Sequence, residues 1–245
     1  MSSPIGATLR AARARLGWSR ETLAHHSGVS WSAIAQIESG RRKDVRLSSL
    51  SALAKALGVS VDYLIGATAA PPLLEHRVLT YGSDEEYLAT AIPFLHGGIE
   101  RSESLLVVAT KARIGLLRDT LDDLSVHIEF AESVGWLRSP SSTLNGYRAF
   151  MKEKIEGGAP WIRIWGEPIW AGRSDAEVAA WTRFESLFNL SFASSPATVV
   201  CPYDTRSLPE EIVADARRTH PEVARGSDTT GNPLYREPGD FLLDH

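Results

Sequence analysis

Trp31, Ser32 and Gln36 belong to a short segment, SWSAIAQIESG (30–40), whose apolar positions Ile34 and Ile37 lie three residues apart. On a helix capped by Ser30, these three side chains project from the face opposite Ile34 and Ile37. Their chemistry suits base edges in a major groove. Glutamine pairs bidentately with adenine, serine hydrogen-bonds to several bases, and an indole packs on a thymine methyl or a sugar edge. Arg20, Ser30, Arg41, Arg42, Lys43 and Arg46 surround the segment and suit phosphates, contacts that position a protein on DNA without reading sequence. By itself Arg41-Arg42-Lys43 is a solvated loop; directly after a helix of this kind it gains a function. The adjacent His25 and His26 have no partner at ligand spacing and are assigned no chemistry.

A second group of chemistry-bearing residues lies at the ends of apolar runs further along the chain. It comprises Tyr81, Thr110 with Lys111, Glu132 with Trp136, Trp165 with Glu167 and Trp170, and Tyr203 with Asp204. An aromatic rim carrying a few carboxylates suits a small organic molecule. Tyr81, Trp136, Trp165, Glu167, Trp170 and Tyr203 are the expected ligand-binding residues, with Trp161 and Trp181 assigned to the core. No GxxxxGK[ST] loop occurs, and the turn Gly82-Ser83-Asp84-Glu85-Glu86 is acidic where a phosphate would need donors. No nucleophile with a base stands out, so the chain is not expected to be an enzyme. Cys201 alone cannot form an internal disulfide or a cysteine zinc site, and seven scattered histidines show no ligand spacing. Neither a metal nor a cofactor is expected. Cys201 reads as a buried, inert thiol, and His220 as a residue at a helix C-terminus.

These residues must be positioned by two kinds of element. Up to residue 67 the apolar spacing predicts five short helices, with Ser19 and Ser30 as caps, Gly28 in a tight turn, and a fourth stripe over Leu50, Leu53, Ala54 and Leu57. Pro71-Pro72 cannot continue a helix, placing a linker at 68–75. From residue 76 strand-like runs (76–81, 105–110, 126–133, 161–168, 197–204) alternate with amphipathic helices, two of them opened by Ser-Asp-x-Glu capping boxes at Ser83 and Ser174. That alternation implies a mostly parallel sheet covered on both faces, with ligands bound beyond the carboxyl ends of the strands. Residues 226–245 form a turn-rich tail whose Phe241-Leu242-Leu243 suits docking on the body or on a partner.

The charge divides the same way. Residues 1–67 hold nine Lys/Arg against four Asp/Glu, a net of +5, whereas the remainder nets −9 within an overall −4. A basic head on an acidic body predicts a polyanionic partner for the head alone. The 245 residues, 43% apolar, suffice for two globular domains. No signal-peptide core and no run of ~18 apolar residues occurs, so a cytoplasmic protein without a membrane partner is expected.

The stretch LAHHSGVSWSAIAQIESGRR followed by LSSLSALAKALGVSVDYLIG resembles the Cro/CI, or XRE, family of phage-repressor-like DNA-binding domains, over most of residues 5–67. The resemblance implies an all-α lambda-repressor-like helix-turn-helix fold, a homodimer on a double-stranded DNA operator, and base contacts from the positions of Trp31, Ser32 and Gln36. YGSDEEYLATAIPFLHGGIERSESLLVVAT, WIRIWGEPIW and VVCPYD with the later Thr219-His220-Pro221 resemble the MEDS sensory domain, over roughly 73–225. That resemblance implies an α/β fold of the RecA/KaiC type without a working ATP site, and a small-molecule effector such as a hydrocarbon derivative. The expected function is therefore a transcriptional regulator with DNA-binding domain 1–67, linker 68–75, sensory domain 76–225 and tail 226–245. The alternative is a body that serves as an interaction or dimerisation module without a metabolite ligand.

Overall fold

The computed structural model describes residues 4–42, 44–67 and 74–243. Lys43 and residues 68–73 of the expected linker lie outside the described residues. The chain divides into two compact units between residues 72 and 73.

The N-terminal unit consists of five helices: α1 (Pro4–Arg15), α2 (Arg20–Ser27), α3 (Trp31–Glu38), α4 (Leu47–Leu57) and α5 (Val61–Leu64). Ser19 and Ser30 accept the backbone N–H groups of Thr22 and Ala33, so both expected caps form. Gly28 ends α2 in the left-handed region (φ 68°), returning its N–H to the Ala24 carbonyl. That backbone is cheap only for glycine, and it turns the chain tightly into α3. Leu9, Leu23, Ile34, Ile37, Leu53 and Leu64 form the centre of the core. Helices α1 and α3 approach so closely that a Cβ on Gly6 would lie 2.4 Å from the Ile37 carbonyl oxygen.

The C-terminal unit is built on a seven-stranded sheet of order β3-β2-β4-β5-β1-β6-β7. Its strands are β1 (Glu75–Tyr81), β2 (Ser104–Ala109), β3 (Ile128–Glu132), β4 (Ile162–Gly166), β5 (Ala197–Asp204), β6 (Glu222–Arg225) and β7 (Asp228–Gly231). All pair in parallel except β6 with β7. That terminal hairpin lies in four-residue strands that carry no clear alternation, and the sequence pattern did not foretell it. The helices are α6 (Asp84–Glu100), α7 (Lys111–Leu121), the single turn α8 (Ser133–Trp136), α9 (Pro140–Glu156), α10 (Asp175–Ser191), α11 (Glu210–Thr219) and α12 (Pro238–Leu243).

The strands alternate their side chains between two cores. Leu79, Leu105, Val107, Trp165 and Val200 meet Tyr87, Ala91 and Leu95 of α6 and Leu117 of α7 on one face. Val78, Leu106, Ile164, Val199 and Cys201 meet Tyr147 of α9, Phe184 and Phe188 of α10 and Ala216 of α11 on the other. Ser174 forms the complete capping box with Glu177. At α6, Ser83 caps Glu86 N–H, but Glu86 accepts from Gly82 rather than Ser83. Helix α11 starts after Pro209 without a side-chain cap. In the tail, Phe241 is buried and α12 packs on α10 and α11.

Candidate functional site

In the N-terminal unit, α2 and α3 meet through the Gly28 turn, and α3 presents an outer face containing Trp31 (47% exposed), Ser32 and Gln36. Burial of Ile34 and Ile37 on the inner face fixes that orientation. Arg41 and Arg46 are exposed, and Arg42 is half-buried with its Nε donating to the Asp44 carbonyl at 3.3 Å. Ser30 spends its hydroxyl oxygen on the cap.

Glu38 is the residue that holds this unit in register. Arg13 of α1 donates to both carboxylate oxygens, from Nε at 2.7 Å and Nη2 at 3.1 Å, and Arg20 of α2 donates from Nε at 2.7 Å. The Glu38 side chain is fully buried. Burial alone would push its carboxyl up, but the arginine hydrogen bonds outweigh burial and hold it below the usual value. Arg20, expected at phosphates, thus has its Nε committed within the fold, leaving a side chain 36% exposed. Sequence reasoning did not single out Glu38. Its signal was position: four residues after Ile34, it lies on the apolar face of α3.

In the C-terminal unit the ends of β1, β4 and β5 meet where the helices after β1 and β5 depart to opposite faces of the sheet, a switch point at which α/β sheets bind ligands. A cleft of 260 Å³ lies there, with Tyr81, Arg113, Glu167 and Trp170 among its walls. Tyr81 Oη donates to Glu167 Oε1 at 3.1 Å and accepts from Arg113 Nη2 at 3.2 Å. Arg113 also donates to Asp84 at 3.0 Å and stacks 4.5 Å above the Tyr87 ring. Glu167 Oε2 is buried without a hydrogen-bond partner, as is Trp170 Nε1. Burial pushes the Glu167 carboxyl up despite the nearby Arg113, and burial with Glu167 pushes the Tyr81 hydroxyl up. Glu167 and Trp170 both line the cleft, which has an apolar wall of Ile169, Trp170 and Leu208.

Of the expected rim, Tyr81, Thr110, Glu167, Trp170 and Asp204 come together in this cleft. Trp165, Tyr203 and Trp136 do not. Trp165 is fully buried on the α6 face, its Nε1 donating to Tyr87 Oη at 2.8 Å, because it stands two residues before Glu167 and hence one layer deeper. Tyr203 points to the opposite face, between Trp170 and His220. Trp136 packs on Tyr147. Arg113 was missed, although a cation in the first turn of α7 opposes the helix dipole, and that unfavourable placement was its signal.

Residues 75–221 match the family described as MEthanogen/methylotroph, DcmR Sensory domain. The chain belongs to the MEDS family. Residues 9–64 match the helix-turn-helix family of XRE type, so this MEDS protein is a DNA-binding transcription regulator. Among solved structures it is similar to the restriction-modification controller protein C.AhdI from Aeromonas hydrophila, with 37% identity over 25% of this chain and 92% of that one, TM-score 0.24. It is likewise similar to the clp gene regulator ClgR from C. glutamicum, with 34% identity over 27% and 91%, TM-score 0.24. Among the described residues, no helix of the MEDS protein is long and apolar enough to cross a membrane.

Proposed function

We propose that this regulator binds a pseudo-palindromic operator as a homodimer and that a small organic molecule in the Tyr81–Arg113–Glu167–Trp170 cleft changes its affinity for that operator. On this reading Trp31, Ser32 and Gln36 read bases, while Arg41, Arg42, Lys43, Arg46, the Ser30 region and the free side of Arg20 meet phosphates. The observation that carries the sensory half is Glu167 Oε2, a buried acceptor without a hydrogen-bond partner in a residue that lines the cleft, as does Trp170 with its unpartnered indole N–H. Buried polar atoms in native folds find partners, and an orphan in a cleft is accounted for by a ligand or an ordered water. A molecule with a hydrogen-bond donor and a short apolar body fits both the carboxylate and the Ile169–Leu208 wall. Linkage requires such a molecule to bind the DNA-competent and DNA-incompetent states unequally.

The test is thermal unfolding of the full chain with a panel of short-chain alcohols and amines, repeated on Glu167→Gln and Arg113→Ala. Saturable stabilisation by a panel member, lost in both variants, is the expected result. Stabilisation that both variants retain would place the ligand elsewhere, and no response to the panel would favour a body that acts through protein contacts.

A further inference from the structure

Four side chains far apart in sequence converge beneath the sheet: His76 of β1, Glu185 of α10, Cys201 of β5 and His220 just after α11. One donor atom from each lies within 4.8 Å of all the others, and all four residues are buried. The cluster is separate from the cleft, although the Tyr203 ring packs on both His220 and the cleft residue Trp170.

Both imidazoles are oriented from behind. Asn189 donates from Nδ2 to the Thr219 carbonyl at 2.7 Å and to the Ser186 carbonyl at 3.3 Å, so the atom it turns to His76 Nδ1, at 3.0 Å, is its oxygen. The His76 proton therefore sits on Nδ1, and Nε2 carries a bare lone pair. His220 Nδ1 lies 2.7 Å from the Ala216 carbonyl, which only accepts, so His220 too is protonated at Nδ1 and bare at Nε2. The inward nitrogens point at Glu185 Oε2, at 3.9 Å from His76 and 3.7 Å from His220, and His76 Nε2 lies 3.5 Å from Cys201 Sγ. His220 Nε2 is buried without a hydrogen-bond partner. His76 Nε2 can accept from the Cys201 thiol, whereas the lone pair of His220 Nε2, aimed at Glu185, meets no hydrogen-bond partner in a buried core, an unmet demand that a cation would answer.

A histidine that donates its outer N–H to a carbonyl while presenting its other nitrogen inward is the arrangement found around bound metals. Two nitrogens, one sulfur and one carboxylate oxygen suit zinc and its neighbours rather than magnesium or calcium, which take oxygen ligands. Zn–N near 2.05 Å and Zn–S near 2.3 Å in a tetrahedron separate ligand atoms by about 3.3–3.6 Å. The separations of 3.5, 3.7 and 3.9 Å already stand within a few tenths of an ångström of that, and the widest spacing in the cluster, up to 4.8 Å, closes by roughly 1.2 Å when the ion binds. A divalent ion with one thiolate, one carboxylate and two neutral imidazoles is also electrically neutral, as a dry core requires. We propose that His76, Glu185, Cys201 and His220 bind one divalent transition-metal ion of the zinc class. All four positions are filled by protein, so the site is closed and ties β1, β5, α10 and the end of α11 together.

The full chain, stripped with chelator and titrated with cobalt(II), tests this. The expected result is the visible absorption of tetrahedral cobalt with a near-ultraviolet thiolate charge-transfer band, saturating at about one equivalent and bleached by zinc(II). Cys201→Ser is expected to remove the charge-transfer band, and Asn189→Ala, which frees the His76 ring, to weaken cobalt binding ~10–100-fold. The cleft variant Glu167→Gln is expected to retain both. Absence of a saturable thiolate band in the unmodified chain would overturn the proposal without reliance on any variant. So would binding that survives Cys201→Ser and Asn189→Ala unchanged, since the ion would then sit elsewhere, as at His25 and His26.

Discussion

Glu38 and Glu167 are carboxylates held away from solvent in the two units, yet they are treated in opposite ways. Glu38 receives hydrogen bonds from Arg13 and Arg20 on both oxygens, and its carboxyl is held low. Glu167 has one oxygen on Tyr81 and one on nothing, and burial wins over Arg113 to push it up. A fully paired charge locks three helices so that α3 presents one fixed outer face. A half-paired carboxyl leaves an acceptor without a partner, which is the place the proposed ligand would fill.

The sharpest way to break this contrast is Glu38→Ala, which strands two arginines at the junction of α1, α2 and α3. Loss of one partner of a buried pair costs about 3–5 kcal/mol. Hydrogen exchange resolved over residues 4–67 should show that loss of protection, with residues 74–243 unchanged. A loss below ~1 kcal/mol would place Glu38 among weak surface pairs.

Gln36→Ala comes next. It should cost about 1–3 kcal/mol at the preferred operator and relax specificity at one base pair, as read by selection from random duplexes. Retained affinity and specificity would remove Gln36 from the reading face.

Acid separates the two carboxylates by sign. The folded-state value of Glu38 lies below its unfolded value, so its contribution is complete above the unfolded value of about 4.3 and is lost as pH falls through the folded one. The folded-state value of Glu167, which faces Arg113, Tyr81 and Asp204, lies above its unfolded value. Its contribution is complete below about 4.3 and is lost as pH rises through the folded value. Glu38→Gln should therefore be most harmful at neutral pH and nearly silent in strong acid, while Glu167→Gln should stabilise its unit at neutral pH and lose that advantage in acid. Variants whose effects run with the same sign would refute the contrast. The smallest effect is expected from Arg42→Ala, a uniform weakening on all DNA with the salt slope reduced by about one unit.

The helices of the N-terminal unit were legible because serine caps, the Gly28 turn and the Ile34–Ile37 spacing are local signals. The parallel sheet was legible from alternation, and Tyr81, Glu167 and Trp170 from their places at strand ends. Which way a strand-end residue faces was not. Trp165 and Tyr203 fall in the cores because period and register put them one layer below the cleft or on the other side of the sheet. The pairing of Glu38 with Arg13 and the convergence of His76 with His220 join residues 25 and 144 positions apart, which no local spacing reveals.

The most direct test of the account is the operator affinity of the full chain at fixed salt, measured with and without the panel member that stabilises it. The account requires a shift of at least about 5-fold that vanishes in Glu167→Gln. Equal affinities with and without a molecule shown to occupy the cleft would contradict it.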